Sequence, residues 1–299
     1  MKKLIFFGVI LFLSPQTFAY SSSTFLISQQ AFNNYDYSTS LSDFNIKKSN
    51  FSNNKLLDKV IASVIIEDLS KANMIADKLI LQDNNSQEAY VVKLTYLYLN
   101  NQFIEMKKLY SEMNKKNELI DFLFFSNNEP KDNFTISQSF IDIVTSSFSN
   151  VDQRTLNYNF LLFYTSLSKL IDKNNDRAIL IKGELFQNVE RFDAAREIFE
   201  IIEPSSPFYL DAQRSLAVNY TYSLKYDDAV KNLKKILVEN NDNYLLKKIL
   251  GDFYRINKKY NLAIAIYGEM IKEGKEDLWN IFYMRGICYE RLEDWNNAE

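Results

Sequence analysis

The stretch GDFYRINKKYNLAIAIY, residues 251–267, contains the spacing that decides the fold. It opens on a glycine, has an aromatic residue three positions later, and closes with Tyr260, Ala263 and Tyr267. The aromatic-x-x-Ala part of this series recurs with its alanines 34, 34 and 35 residues apart. The four pairs are Phe192/Ala195, Tyr226/Ala229, Tyr260/Ala263 and Trp295/Ala298. A fixed period in this range indicates a stack of repeated structural units.

Each alanine is accompanied by other residues at constant distances. A small residue stands twelve positions before it, and an aromatic residue stands three positions after that small residue. The small residues are Gly183, Ala217, Gly251 and Gly286; the aromatic residues are Phe186, Tyr220, Tyr254 and Tyr289; bulky residues four positions after the first three alanines are Phe199, Leu233 and Tyr267. Because positions three or four apart share one helix face, the pattern predicts two helices per unit. The small residues mark where those helices approach closely.

At these positions the sequence resembles the tetratricopeptide repeat (TPR) family, whose unit is a helix–turn–helix of 34 residues. Pro207, twelve residues after Ala195, falls where one unit should give way to the next. The resemblance implies an all-α fold, an α-solenoid of antiparallel helix pairs wound as a right-handed superhelix. The implied repeats are 176–209, 210–243, 244–278 and 279–299. The first-helix tryptophan of the family is replaced by Ile179, Gln213, Lys247 and Phe282.

Weaker copies of the pattern occur nearer the N-terminus, and we expect divergent TPR-like helical pairs across residues 20–115. Phe103 and Met106 stand in the aromatic and alanine positions, and Ala72 lies 34 residues before Met106. Tyr35 and Ser38 are expected in the same two positions of a first repeat. The register is lost over residues 116–175, where we expect an atypical helical segment with a loop near 126–133, which changes the curvature without forming a separate domain.

Composition narrows the classes of function. Only six Gly and four Pro among 299 residues favour helices joined by short polar turns. The absence of His excludes Ser–His–Asp and Cys–His catalysis and imidazole ligands for a metal. Cys288 is the only cysteine, so no intrachain disulfide can form, and a net charge of −3 gives no electrostatic reason to bind nucleic acid. We therefore expect a protein that is not an enzyme, has no cofactor or metal, and binds a protein or peptide.

Acidic pairs and the lone cysteine are the remaining candidates for chemistry. Two carboxylates can serve as a glycosidase acid and base, and such pairs occur at Glu67-Asp68, Asp227-Asp228 and Glu293-Asp294. Each pair lies in or beside a polar turn between repeat helices, which favours ordinary solvated turn residues. Cys288 lies between Gly286 and Tyr289 on a first helix, which favours a packed small hydrophobe over a reactive thiol.

The first nineteen residues, MKKLIFFGVILFLSPQTFA, have the organisation of a secretory signal peptide. Two lysines precede an apolar run from Leu4 to Leu13, and small residues lead to a predicted cleavage site after Ala19. The run is shorter than the roughly 20 residues that span a bilayer. We expect export, to the periplasm of a Gram-negative bacterium; an uncleaved N-terminal anchor is the alternative.

The resemblance also implies a binding surface, because in TPR proteins the first helices line a concave groove. Carried onto this chain, the candidate groove residues are Glu184, Gln187, Asn188, Arg214, Tyr222, Lys248, Asp252, Arg255, Tyr283, Glu290 and Arg291. Arg214, Lys248, Arg255 and Arg291 are possible clamps for a carboxylate or for backbone carbonyls. Some TPR domains hold a peptide C-terminus, but Asp252 stands where that arrangement requires Asn, so the specificity is not carried over. An ordinary solvated polar surface remains the alternative for each residue.

Three functions remain open at this level. The first is an exported TPR scaffold that binds a peptide or helix of an envelope protein in its groove. The second is an accessory helical region of an envelope enzyme, and the third is a component of an assembly machine. The closing stretch RGICYERLEDWNNAE, residues 285–299, begins a second helix and stops, which suggests a C-terminally incomplete array. In that case Phe282, Ile287 and Cys288 are expected to be partly exposed.

Overall fold

The computed structural model describes residues 26–42, 44, 51–113, 118–127, 129–150, 156–222, 226–239, 243–274 and 278–298. Most of these residues are helical, which confirms the all-α prediction. The chain divides into an N-terminal unit, Met1–Asp172, and a C-terminal unit, Lys173–Glu299. Within the described ranges, no helix has both the length and the apolar character needed to cross a membrane. The predicted signal peptide and its cleavage site lie outside the described residues.

The N-terminal unit is a series of short helices followed by a longer helical hairpin. In chain order the elements are α1 (26–33), α2 (Tyr37–Leu41), α3 (Asn53–Ile65), α4 (Leu69–Gln82), α5 (Gln87–Leu99), α6 (Phe103–Glu112), α7 (Glu118–Phe124), β1 (Phe125–Ser126), β2 (Glu129–Pro130), α8 (Asn133–Asn150) and α9 (Tyr158–Ile171). The two strands pair antiparallel, with Phe125 opposite Pro130. Consecutive helices pack against each other, most extensively α3 with α4 and α8 with α9.

In the part of the C-terminal unit that the structure describes, the helices form four pairs. Its elements are α10 (Asp176–Asn188), α11 (Phe192–Phe199), α12 (Tyr209–Tyr222), α13 (Tyr226–Glu239), α14 (Tyr244–Ile256), α15 (Tyr260–Glu273), α16 (Leu278–Arg291) and α17 (Trp295–Ala298). The aromatic residue of each aromatic-x-x-Ala motif is the first residue of a second helix. The sequence period therefore corresponds to one helix pair, and the pairs stack in chain order.

The two helices of a pair are joined by the same turn in both units. Two residues before the second helix the backbone has a positive φ, as at Glu190, Lys258 and Glu293 in the C-terminal unit. The residue after each of them donates its backbone N–H to a carbonyl five positions earlier, at 2.9 Å for Arg191 and 2.8 Å for Lys259. This bond is typical of helix C-termini, and it offsets the strain of a left-handed residue that is not glycine.

The same turn corrects the predicted register of the first repeat. Tyr35 has a φ of 57°, and Asp36 donates its N–H to the carbonyl of Ala31, five residues earlier. Tyr35 is therefore the turn residue, and Tyr37 begins the second helix. The aromatic and alanine positions are held by Tyr37 and Ser40, both buried, whereas Ser38 is exposed. The prediction that Tyr35 and Ser38 hold the aromatic and alanine positions was wrong by two residues. Ser38 lies 34 residues before Ala72, which is one repeat period, but this match is a coincidence.

Close contacts between the helices of a pair explain the small residues. At Gly251 an added Cβ would lie 2.6 Å from the Tyr267 ring, and at Gly183 it would overlap the ring of Phe199. The alanines of the second helices, such as Ala263, are fully buried. A ring of the second helix thus occupies the space that the missing side chain of the first helix leaves open. Interiors packed to this density tolerate added atoms poorly.

Helix α9 is the main departure from a linear array. It pairs with α8 and also packs back against α3 and α5, the first helices of two earlier pairs. Every residue from Leu161 to Ser168 is buried, so α9 is covered on all sides. Polar contacts hold both of its ends: the Tyr37 hydroxyl donates to Asn159 Oδ1 at 2.7 Å, and Lys169 Nζ contacts Glu67 Oε1 at 2.8 Å.

Of the three side chains predicted to be partly exposed to solvent near the end of the array, two are exposed as expected. Phe282 is 47% exposed and Ile287 is half-buried, as predicted. Cys288 is 0% exposed, so its predicted partial exposure was wrong. The reason is its helix face: Cys288 and Ile281 are seven residues apart on α16, and both belong to the core that includes Tyr267. That face turns toward the preceding pair, whereas Phe282 lies on another face.

Candidate functional site

The first helices of the C-terminal unit carry a stripe of partly exposed polar residues. We use the name polar stripe for Glu184 on α10, Asp211 and Arg214 on α12, and Lys248, Asp252 and Arg255 on α14. Their neighbours in sequence are largely buried, and the spacing of three or four residues places the stripe on one face of each helix. Helices α10 and α12 are in contact, as are α12 and α14. The stripe therefore crosses three adjacent helices.

The most connected part of the polar stripe is on α14. Asp252 accepts hydrogen bonds from Lys248 Nζ at 2.8 Å and from the Tyr267 hydroxyl at 2.7 Å. Arg255 Nη2 lies 3.4 Å from Asp252 Oδ1. Burial, and then the hydrogen bond to Asp252, raise the pKa of Tyr267. Burial opposes the charge of Arg255, but its contacts with Tyr267 and Asp252 raise its pKa overall. Three charged groups and one neutral phenol are thus fixed in one place.

A smaller cluster joins α10 to α12. The Ser215 hydroxyl donates to Glu184 Oε1 at 3.4 Å, and Arg214 Nη2 lies 3.2 Å from Asp211 Oδ1. Burial raises the pKa of Glu184, although Ser215 and the charge of Arg214 act in the opposite direction. Glu184 is therefore a carboxyl group at the margin of the core, held between two helices.

Three of the four predicted carboxylate clamps are paired with aspartates of the same chain. Arg214, Lys248 and Arg255 each lie within 4.0 Å of an aspartate on their own helix. An incoming carboxylate would have to compete with Asp211 or Asp252, so the polar stripe is better suited to groups that both donate and accept hydrogen bonds. Arg255 Nε and Gln187 Oε1 are buried and have no hydrogen-bond partner among the described residues.

The remaining predicted groove residues are not gathered into the same cluster. Asn188 is exposed at the end of α10, and Arg291 is exposed at the end of α16. Tyr283 and Glu290 line a cavity of about 450 Å³ beside Gly286 and Trp295, on the last helix pair. The backbone of Tyr222 ends α12, and its side chain lies outside the described residues.

Sequence reasoning missed the role of Tyr267. It treated this residue only as packing, yet the hydroxyl at the far edge of its buried ring supports Asp252. The available signal was the combination of Gly251, which admits the ring, and an acidic residue directly after it. In the equivalent pair α10–α11 the ring belongs to Phe199, which has no hydroxyl to donate.

The lone cysteine and the acidic pairs, which were the other candidates for chemistry, are explained by burial, helix capping and turns. Cys288 is buried, and burial raises the pKa of its thiol to about 11, which keeps it protonated. Asp68 accepts the backbone N–H of Lys71 at 3.0 Å as the N-cap of α4, and Glu293 is a turn residue. Among the residues described, no three Cys, Asp or Glu side chains are grouped as a metal would require.

Comparison with known proteins gave matches of structure only. No protein-family model and no curated protein sequence matches the chain. The crystal structure of MamA protein aligns with 54% of this chain and 85% of its own, at 17% identity and a TM-score of 0.43. A tetratricopeptide repeat protein from Parabacteroides merdae aligns over 82% and 89%, at 16% identity and a TM-score of 0.43. YrrB, described as a TPR protein with an unusual peptide-binding site, aligns over 70% and 95%, at 14% identity and a TM-score of 0.29.

The geometry of the chain itself defines its fold. The helix pairs, their repeated left-handed turn and the contact between a first-helix glycine and a second-helix ring recur in register with the sequence period. The chain therefore has the TPR-like fold of stacked helix pairs that its sequence predicts.

Proposed function

We propose that this protein is an exported scaffold of the bacterial envelope, in which the polar stripe of the C-terminal unit binds a peptide or helix of a protein partner. One observation carries the proposal. The first helices α10, α12 and α14 present charged groups that the packing of the repeat does not require. Stacked repeats use such continuous surfaces to bind other proteins.

A contrast with the N-terminal unit supports the proposal that binding occurs on the C-terminal unit. In the N-terminal unit, α9 packs on the first helices α3 and α5 and covers them. In the C-terminal unit, Asp211 and Arg214 on the first helix α12 remain partly exposed. A partner can therefore reach the first helices of the C-terminal unit without displacing part of the same unit.

The dimensions suit a short segment of a partner. Packed helices lie about 8–10 Å apart, so the polar stripe runs roughly 20 Å from α10 to α14. An extended chain rises about 3.3 Å per residue and would need about six residues to cover that distance. A peptide backbone supplies both N–H donors and C=O acceptors, which matches the mixture of Lys248, Asp252 and Arg255.

Binding is tested with a random 12-residue peptide library selected against the whole exported chain. The best peptide is then measured against the Arg214→Glu/Lys248→Glu variant. We expect at least a tenfold weaker Kd, because each substitution places two acidic groups side by side in the polar stripe. The matched control is Lys231→Glu/Lys272→Glu, which reverses two exposed charges on second helices. Equal binding by wild type and the stripe variant, with both folded by circular dichroism, would overturn the proposal.

Export is tested separately. Residues 1–19 support it by their order of lysines, apolar run and small residues. We expect the mature protein in the periplasmic fraction to begin at Tyr20, as determined by intact mass. Retention of residues 1–19 on a membrane-associated form would instead support the N-terminal anchor, and recovery of the full chain from the cytoplasm would refute export.

A further inference from the structure

A cavity of about 250 Å³ lies among α11, α12 and α13 in the C-terminal unit, and we call it the α12 cavity. Its origin is the length of α11, which ends at Phe199 after 8 residues, whereas α13 and α15 each have 14. The chain continues from α11 to α12 through turns, so the second half of α13 has no equivalent part of α11 beside it. The lining residues lie between Glu200 and Ile236, and the complete helix pair α14–α15 follows them.

One face of α12 forms a wall of the α12 cavity. Its four residues are spaced four, three and four positions apart, which places them on one side of the helix: Tyr209, Gln213, Leu216 and Tyr220. At about 100° per residue, Asp211 and Arg214 of the polar stripe lie on the opposite side of α12. The α12 cavity is therefore separate from the polar stripe, and its ligand does not depend on the function proposed above.

Gln213 is the part of this wall that packing does not explain. It is 7% exposed, and its Oε1 accepts a hydrogen bond from Asn232 Nδ2 at 3.0 Å. Among the residues that the structure describes, neither Gln213 Nε2 nor Asn232 Oδ1 has a further hydrogen bond. The equivalent residue of the next repeat, Lys247, is also buried but forms an ion pair with Glu273. A buried donor in a cavity wall costs free energy unless a group in the cavity accepts from it.

Three charged side chains line the same cavity without neutralising one another. Lys235 of α13 is a cation, and Glu200 and Glu203 are carboxylates in the segment after α11. None of the three forms an ion pair within the part of the chain that the structure describes. Burial, and then the charge of Glu200, raise the pKa of Tyr220 in the cavity wall. A ligand in the cavity therefore meets both signs of charge, neither of them already paired.

We propose that the α12 cavity binds a free α-amino acid whose side chain ends in an amide, as in glutamine. The ammonium group of the ligand contacts Glu200 and Glu203, and its carboxylate contacts Lys235. The side-chain amide supplies an acceptor for Gln213 Nε2 and a donor for Asn232 Oδ1. The volume lies just below the range of about 300–1,000 Å³ that is typical of drug-sized ligands, which fits a single amino acid.

Calorimetric titration of the whole exported chain with L-glutamine tests the proposal. Three matched compounds each lack one of the recognised groups. N-acetyl-L-glutamine has no ammonium group, L-glutaminamide has no carboxylate, and L-norleucine has an alkyl chain in place of the side-chain amide. We expect glutamine to bind with a Kd below about 1 mM, and each of the other three to bind at least about tenfold more weakly.

Variants assign the binding to the named residues. Gln213→Leu and Lys235→Met should each weaken glutamine binding at least about tenfold, and so should the double variant Glu200→Gln/Glu203→Gln. Gln213 is buried, so circular dichroism must show that its variant folds. Lys235, Glu200 and Glu203 are exposed, and their variants carry the test if Gln213→Leu does not fold.

Matched controls remove charges that do not line the cavity. Lys231→Met lies one turn before Lys235 on α13, and Glu197→Gln lies on α11 before Glu200; both side chains are exposed. We expect each control to change the Kd for glutamine by less than about twofold, because exposed charges outside the cavity are screened by water and salt.

Four results would overturn the proposal. The first is the absence of glutamine binding at about 10 mM, and the second is equal affinity for all four compounds. The third is unchanged glutamine binding by both the Lys235 variant and the glutamate double variant. The fourth is tighter binding of D-glucose than of glutamine, which would identify the ligand as a neutral sugar. None of these measurements involves the polar stripe, so each result leaves the proposal of peptide binding to be decided by its own test.

Discussion

The two units use the same local structure and reach different surfaces. In both, a helix pair is joined by a left-handed residue and a backbone bond spanning five residues, as at Glu67 and Glu190. In the N-terminal unit the first helices α3 and α5 are covered by α9, whereas in the C-terminal unit α10, α12 and α14 keep the polar stripe at the surface. Local sequence specifies each helix pair. Whether the first helix of a pair becomes part of the core or stays at the surface depends on whether a later helix, such as α9, packs back against it.

Aromatic side chains also have different roles in the two units. In the N-terminal unit, rings continue from Phe124 to Phe140 and Tyr164, with centroids 5.8 Å apart at each step. In the C-terminal unit, the ring of Tyr267 ends in a hydroxyl that supports Asp252 at the surface. The four substitutions that follow test this contrast, in order of decreasing expected effect on the free energy of unfolding.

Phe140→Ala should have the largest effect. Phe140 is fully buried between Phe124 and Tyr164, and truncating such a ring leaves a cavity, so we expect a loss of about 3–5 kcal/mol. Urea unfolding followed by circular dichroism measures it. Phe134→Ala on the same helix removes an exposed ring and should cost less than about 0.5 kcal/mol. Similar losses for the two variants would show that α8 does not bury Phe140 as described.

Gly251→Ala should destabilise the C-terminal unit by about 1–3 kcal/mol, because the new Cβ would lie 2.6 Å from the Tyr267 ring. Tryptophan fluorescence follows this unit alone, since both tryptophans lie in it. Gly268→Ala on α15 meets no atom within 4 Å and should stabilise by about 0.5–1 kcal/mol through helix propensity. If both substitutions shifted stability in the same direction, the close contact at Gly251 would be disproved.

Tyr267→Phe should cost about 1.5 kcal/mol, because it removes a hydrogen bond to the charged Asp252 while leaving the ring in place. The measurement is again fluorescence-monitored unfolding. Tyr283→Phe removes an exposed hydroxyl and should change stability by less than about 0.5 kcal/mol. A neutral result for Tyr267→Phe would mean that Asp252 is held by Lys248 and Arg255 alone.

Glu67→Gln should have the smallest effect, at most about 1 kcal/mol, because its ion pair with Lys169 is only partly shielded from water. A double-mutant cycle with Lys169→Met, at low and high salt, isolates the coupling between the two residues. The reference is Glu112→Gln, whose partner Lys108 lies 3.8 Å away on an exposed surface. Equal coupling in both pairs would indicate that the Glu67–Lys169 contact does not help to hold α9.

Much of the fold could be predicted because its signals are local. The motif from Phe192 to Ala195 fixes the start of a second helix, and Gly183 and Gly251 mark the close contacts of two pairs. The candidate site was predicted less completely. Its α14 members, Lys248, Asp252 and Arg255, lie together, but the hydrogen bond from Tyr267 to Asp252 joins two helices, and the repeat spacing by itself predicts only a packing role for Tyr267. The burial of Cys288 was missed because it depends on which face of α16 meets the preceding pair.

The sequence by itself determined the helix pairs, their period and the residues at their contacts, because each depends on side chains within one or two turns of the same helices. Only the tertiary structure decided that α9 returns to α3 and that the Tyr267 hydroxyl of α15 reaches Asp252 of α14. These features depend on contacts between residues far apart in sequence or on the direction in which a side chain points. Periodicity carries information about neither.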